Sequence, residues 1–118
     1  MNETDQSAGA DPIRVMLVDD QTLVRQGVRS LLELADGIEV VAEAADGVEA
    51  VERVPEVAPD VMLLDIRMPR KNGLEVLKDL HAAEKLPPTI ILTTFDEDDL
   101  VLDGIRTGAR GYLLKDVS

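Results

Sequence analysis

Five short apolar runs, separated by longer amphipathic segments, constrain the fold of this sequence more than any other feature. The runs occupy residues 15–18, 38–42, 61–64, 90–92 and 112–114. Most of them are continuously apolar and do not alternate with polar residues. This pattern predicts strands that are buried on both faces, as in a parallel sheet.

Four segments between these runs carry apolar residues at helical spacing. Their predicted apolar faces are Val24, Val28, Leu31 and Ala35; Val48, Val51 and Val54; Leu74, Leu77 and Leu80; and Leu100, Val101, Leu102 and Ile105. Pro55 is predicted to end or kink the second helix, and Gly108 to stop the fourth. Right-handed crossovers turn this β-α alternation into a doubly wound α/β fold with five parallel strands. Only four helices accompany five strands, so we expect a final helix to be absent from this chain.

The chain has 118 residues, which is room for one domain. Residues 1–12 are mostly polar or small and predict a flexible N-terminal arm, whereas residues 13–118 form the predicted domain. No apolar run approaches the roughly 20 residues that cross a bilayer, which argues against a membrane protein. Since a basic and apolar signal segment is also absent from the N-terminus, we expect a cytoplasmic protein.

The charge balance excludes several classes of partner. The chain holds 24 Asp and Glu residues against 12 Lys and Arg residues, for a net charge of −12. Such a field repels a phosphate backbone, so we expect no direct nucleic-acid binding by this segment. The absence of cysteine removes disulfides, thiol nucleophiles and thiolate metal sites.

Polar and charged side chains follow four of the predicted strands. Asp19 and Asp20 follow the first strand, Asp65 the third, Thr93 the fourth and Lys115 the fifth. Because ligands of open α/β sheets bind beyond the carboxyl ends of the strands, we expect these side chains to share one rim. A divalent cation would offset the excess of carboxylates, and oxygen ligands favour Mg²⁺. The set suits phosphoryl transfer, in which a carboxylate can itself be the acceptor.

Each of these residues also has a structural interpretation. An Asp after a strand often caps the next helix, and Asp20 before Gln21 could do only that. Asp65 faces no such helix start, because the next helix is predicted from Gly73. The functional interpretation therefore depends on all five side chains meeting at the same rim.

Four segments of the sequence match a known family in order. They are VMLVDD at 15–20, DVMLLDIRMPRKNG at 60–73, ILTT at 91–94 and GYLLKD at 111–116. With them, the chain resembles the receiver domain of bacterial two-component response regulators. The last two segments are most similar to the LuxR/NarL type, which carries a C-terminal helix-turn-helix domain. The resemblance implies a flavodoxin-like strand order 2-1-3-4-5.

The resemblance also implies a phosphoacceptor and a metal site. Asp65 would accept a phosphoryl group from a phosphohistidine on a sensor histidine kinase. Asp20, Asp65 and the backbone carbonyl of Arg67 would bind Mg²⁺, and Asp19 would act through a bound water. The domain would then be a self-phosphorylating switch, and not an enzyme with an external substrate.

The remaining implied roles concern the switch and its output. Lys115 would pair with the phosphoryl oxygens and Thr93 would donate a hydrogen bond to one of them. Tyr112 would swing inward to fill the space that Thr93 leaves, so that a new charge biases a two-state element. The switch would control homodimerisation and a DNA-binding output domain that is not present here.

Two other functions fit parts of the same pattern. A receiver that had lost phosphorylation would be a pure binding module, but the complete set of Asp, Thr and Lys argues against it. A Mg²⁺-dependent phosphatase with an Asp nucleophile generally needs a second acid two residues later, where Arg67 stands.

Arg67 and Phe95 each lie two residues after a site residue, and we expect their bulk to alter the lifetime of the acyl phosphate. His81 is interpreted as a surface residue, and the acidic run 96–99 as a favourable helix start.

Overall fold

The structure is a computed structural model that describes residues 11–94 and 97–115. Its strands are β1 (Ile13–Val18), β2 (Ile38–Ala44), β3 (Val61–Asp65), β4 (Thr89–Thr93) and β5 (Gly111–Leu114). Its helices are α1 (Thr22–Glu33), α2 (Gly47–Val57), α3 (Gly73–Ala82) and α4 (Asp98–Thr107). All strand pairs are parallel and the order is β2-β1-β3-β4-β5, which confirms the predicted doubly wound sheet. Most of the predicted arm, Phe95, Asp96 and residues 116–118 lie outside the described residues.

Side chains of the central strands are buried on both faces of the sheet, as their continuous apolar runs predict. On one face Met16, Val18, Met62 and Leu64 pack with α2 and α3. On the other face the strand residues Val15, Leu17, Leu63 and Leu92 pack with Val28 and Leu32 of α1. The two layers fix the sheet between helices and hold the carboxyl ends of β1, β3 and β4 together.

The edge strand β5 departs from the prediction of burial on both faces. Tyr112, Leu113 and Leu114 are about half exposed, at 55%, 54% and 50%. An apolar groove of about 450 Å³ runs between β5 and α1, with Leu23 and Leu31 among its lining residues. Exposed apolar surface therefore lies along β5 and α1.

The first helix packs through a face that differs from the predicted one. Val28 and Leu32 contact the sheet, whereas Leu31 is 70% exposed. Ala35 lies beyond the helix, which ends at Glu33. The prediction was wrong for Leu31 because helical spacing alone does not fix which of two adjacent leucines turns towards the sheet, and wrong for Ala35 because the helix ends before it.

Helix ends follow the sequence signals with one exception. The second helix continues past Pro55 to Val57, so the proline does not end it, and Ala58 closes it in the left-handed region at φ 49°. Gly108 closes α4 with φ 137°, as predicted. In α4 Val101 is buried while Leu102 is half exposed, because the apolar stretch is wider than the contact surface.

A close backbone approach places α3 against the site. A Cβ atom at Gly73 would overlap the carbonyl oxygen of Asp65 and lie 2.9 Å from Cα of Ile66. Asn72 caps the helix, accepting from the backbone N–H of Glu75 while the Glu75 side chain accepts from Asn72 N–H. The glycine thus allows α3 to begin directly beside the end of β3.

Candidate functional site

The predicted site residues meet at the carboxyl edge of the sheet. Asp65 is the last residue of β3, and Asp19 follows the adjacent β1. Carboxylate oxygens of Asp19, Asp20 and Asp65 all lie within 4.8 Å of one another. Asp19 and Asp65 are buried while Asp20 is exposed, so the acidic cluster has one open side. Three carboxylates at this spacing can hold a hard cation.

Lys115 supplies the positive charge of the cluster. Its Nζ lies 3.0 Å from Oδ2 of Asp19 and 3.4 Å from Oδ2 of Asp65. The ammonium also donates to Oε1 of Gln21 at 3.2 Å. Burial acts to lower the pKa of Lys115, but its hydrogen bond to Asp19 and the negative charges of Asp65 and Asp19 outweigh burial and raise it. Lys115 is therefore a fully charged partner at the rim.

The carboxyl group of Asp65 has a strongly raised pKa. Burial, and after it the negative charge of Asp19, raise the pKa of Asp65 from 3.8 to about 7. The charge and the hydrogen bond of Lys115 oppose this rise without cancelling it. Removal of the carboxyl group from water is the main physical cause, and repulsion between like charges adds to it. A cation at the cluster would favour the ionised form of Asp65.

Asp19 is held in place through its backbone and its side chain. Its N–H donates to the carbonyl of Ala44 at 3.1 Å, and Oδ1 accepts from the N–H of Gln21 at 2.8 Å. Arg25 donates from Nη1 to the carbonyl oxygen of Asp19 at 2.5 Å. The structure does not show Asp20 as a helix cap. Gln21 is the N-cap residue of α1, and the side chain of Asp19 accepts the N–H of Gln21.

Thr93 and Tyr112 stand on the neighbouring strands β4 and β5. The Thr93 side chain is buried, and its hydroxyl lies 3.0 Å from Oε1 of Glu97 and 3.2 Å from the carbonyl oxygen of Thr94. Its hydrogen bonds therefore point towards the start of α4. Tyr112 is 55% exposed, so its ring lies outward on the edge strand.

Glu97 is a site residue that the sequence analysis did not identify. Its side chain is only 2% exposed, and Oε1 accepts from the Thr93 hydroxyl and from the N–H and hydroxyl of Thr94, each at 3.0 Å. The guanidinium of Arg67 pairs with Oε2. Burial acts to raise the pKa of Glu97, but the hydrogen bonds from Thr94 and Thr93 and the charge of Arg67 outweigh burial and lower it.

A sequence signal for Glu97 was available. Thr94 and Glu97 have the spacing of a capping box, in which an acidic side chain turns back to an upstream N–H. The interpretation of the acidic run as a favourable helix start does not include this contact. That interpretation suits Asp98 and Asp99, which are exposed in the first turn of α4. His81 is exposed in the last turn of α3, in agreement with its interpretation as a surface residue.

Comparison with known proteins gives consistent matches over nearly the whole chain. The family described as response regulator receiver domain matches residues 15–118. The transcriptional regulatory protein YxjL of Bacillus subtilis is 46% identical over 106 residues, which cover 90% of this chain and 49% of that protein. The DNA-binding transcriptional activator DevR/DosR of Mycobacterium tuberculosis is 42% identical over 105 residues, covering 89% of this chain and 48% of that protein.

A solved structure shows the same fold. The signal receiver domain of the putative response regulator NarL from Mycobacterium tuberculosis superposes with a TM-score of 0.85 at 37% identity. The match covers 92% of this chain and 88% of that chain. The present chain spans about half the length of the curated relatives it matches. Among the described residues, none of the helices has the length and apolar character needed to cross a membrane.

Proposed function

The chain belongs to the response regulator receiver domain family, with relatives of the NarL/LuxR type, and from this premise we propose that it is a phosphoacceptor switch. Receiver domains are signalling switches. The observation that carries the proposal is the carboxylate cluster of Asp19, Asp20 and Asp65 with the ammonium of Lys115 beside it at the carboxyl edge of the sheet.

Asp65 is the proposed phosphoacceptor. A carboxylate oxygen of Asp65 attacks the phosphorus of a phosphohistidine, the phosphorus–nitrogen bond breaks, and the imidazole leaves with a proton from solvent. Asp65 ends a central strand, and the start of α3 packs against its backbone carbonyl, which fixes the position of its backbone at the rim. Lys115 lies 3.4 Å from Oδ2 of Asp65, close enough to pair with oxygens of a phosphoryl group there.

The acidic cluster fits Mg²⁺. Asp20 and Asp65 would ligate the ion together with the backbone carbonyl of Arg67, and Asp19 would act through water. The spacing of the three carboxylates supports this assignment, and the charge of Asp19, second to burial, contributes to the raised pKa of Asp65. Mg²⁺ at this position supplies charge neutralisation for the transferring phosphoryl group. Asp19, Asp20 and Asp65 then keep their carboxylates ionised and oriented.

Thr93 and Tyr112 are the proposed switch residues. The Thr93 hydroxyl would leave Glu97 and donate to a phosphoryl oxygen at Asp65, and the exposed Tyr112 ring would move inward. β4 and β5 are adjacent strands, with Thr93 opposite Leu114 and Ile91 opposite Tyr112, so movement at Thr93 would reach the edge strand. The pair would connect the phosphorylation state to the surface formed by α4 and β5.

The proposed partners follow from the relatives. A sensor histidine kinase would supply the phosphoryl group to this protein in the cytoplasm, and a separate output domain would bind DNA. Homodimerisation is also proposed, supported by the exposed Leu23, Leu31, Leu113 and Leu114 around the groove beside α1. Sedimentation velocity with and without a phosphodonor tests it, and a monomer in both states would refute it.

Intact mass spectrometry after incubation with a small phosphodonor tests the proposed activity. We expect one phosphoryl adduct that requires Mg²⁺ and is abolished in Asp65→Asn. Asp99→Asn is the matched control, since it removes an exposed carboxylate near the same edge and should still form the adduct. An adduct that persists in Asp65→Asn would refute the acceptor assignment. The absence of any adduct in the wild-type protein would favour a pure binding module.

A further inference from the structure

The hydroxyl of Thr93 is hydrogen-bonded to Glu97, the residue that precedes α4. A threonine hydroxyl has a single proton to donate, although its oxygen can accept further hydrogen bonds. In the structure the acceptors within reach are Oε1 of Glu97 at 3.0 Å and the carbonyl oxygen of Thr94 at 3.2 Å. The carboxylate is the stronger acceptor, because charge-assisted hydrogen bonds are roughly twice as strong as neutral ones. Thr93 cannot donate to Glu97 and to a phosphoryl oxygen with the same proton.

The environment of Glu97 makes it a persistent competitor. Its side chain is buried to 2% exposure, yet it is kept ionised by hydrogen bonds from Thr94 and by the guanidinium of Arg67. Arg67 lies on the loop after β3, two residues from Asp65, so the ion pair connects the two loops that flank the site. When Thr93 leaves, the hydrogen bonds from Thr94 to Oε1 and the ion pair of Arg67 with Oε2 remain.

From these contacts we propose that Glu97 is a positioning residue of the switch, which holds the Thr93 hydroxyl away from Asp65 and so sets how readily the phosphorylated conformation forms. The inference rests on the proposed function and adds to it a residue that biases the two conformations. Glu97 competes with the phosphoryl group for one proton, and its strength as an acceptor determines the position of the equilibrium.

The binding of beryllofluoride, a phosphoryl mimic, in the presence of Mg²⁺ tests this inference. The affinity is measured from the fluorine NMR signal of protein-bound beryllofluoride. Glu97→Gln keeps the size of the side chain and removes its charge, so it weakens the hold on Thr93. We expect beryllofluoride to bind about fivefold more tightly, the change produced by weakening one hydrogen bond to a charged group in the competing state.

Two variants separate the effect of the contact between Glu97 and Thr93 from the effect of a negative charge at the start of α4. Glu97→Asp retains the charge but withdraws the carboxylate by one methylene, so we expect the affinity to rise as in Glu97→Gln. Asp99→Asn removes one exposed negative charge from the same helix turn and leaves the Thr93 contact intact. We expect its affinity for beryllofluoride to equal that of the wild-type protein.

A double-mutant cycle distinguishes positioning from a general structural effect. Thr93→Val removes the hydroxyl, after which Glu97→Gln should no longer change the affinity. If Glu97→Gln raises the affinity for beryllofluoride equally with and without the Thr93 hydroxyl, the inference is overturned. If the wild-type protein binds beryllofluoride and Glu97→Gln binds it with the same affinity, the inference is overturned while the proposed function stands. Failure of the wild-type protein to bind would overturn both.

Discussion

Substitution of Asp65 by Asn should make the protein more stable at neutral pH in the absence of metal. The reason is the raised pKa of Asp65, about 7 in the folded protein against an ordinary value of 3.8. Between these values the folded state retains a proton that the unfolded state has released. Rising pH in that interval therefore favours unfolding of the wild-type protein, and above it both states are ionised and the effect is complete.

The magnitude follows from the size of this pKa difference. Each pH unit corresponds to about 1.4 kcal/mol, which sets an upper limit of about 4 kcal/mol for the full interval. Water reaches the rim on the open side of the cluster, where Asp20 is exposed, and screens the charges. We therefore expect a contribution of about 2 kcal/mol after allowing for this screening.

Urea unfolding followed by circular dichroism measures the effect at pH values from 4 to 8 in the presence of a chelator. The free energy of unfolding of Asp65→Asn minus that of the wild-type protein should grow by about 2 kcal/mol between pH 4 and pH 7 and then level off. Asp99→Asn provides the control for removing an exposed carboxylate. A difference between Asp65→Asn and wild type that does not change with pH would refute the reasoning.

Two further predictions concern Gly73 and Arg67, which both lie beside Asp65. Gly73→Ala should destabilise the protein by about 1–3 kcal/mol, because the added Cβ overlaps the backbone of Asp65. Gly27→Ala, in open space on α1, should instead stabilise it by up to about 1 kcal/mol, and urea unfolding of both variants checks the contrast. Arg67→Ala should change the decay rate of the phosphorylated protein, measured by mass spectrometry, since Arg67 lies two residues after the acceptor and pairs with Glu97. Equal decay rates in Arg67→Ala and wild type would end that hypothesis.

Local rules predicted most of the fold. Continuous apolar runs identified the central strands because a strand covered on both faces has no solvent side that requires polar residues. The same rule failed for β5, where Leu113 and Leu114 are half exposed. Periodicity also placed Leu31 and Ala35 on the packing face of α1, and the structure has Leu32 there instead. Burial of a particular residue depends on what lies opposite, which a local pattern does not contain.

The sequence by itself determined which strand each site residue follows. Asp19 and Asp20 follow the first strand, and the third, fourth and fifth strands are followed by Asp65, Thr93 and Lys115. Parallel strands bring such residues to one edge whatever the details of packing, and the acidic cluster with Lys115 confirms that expectation. The tertiary structure alone decided the partners of each side chain. It buried Glu97 beside Thr93 and brought Arg67 to it from another loop, and it raised the pKa of Asp65 through burial and the charge of Asp19. Both effects arise from distances and solvent exclusion between segments remote in sequence, and these exist only after the sheet has assembled.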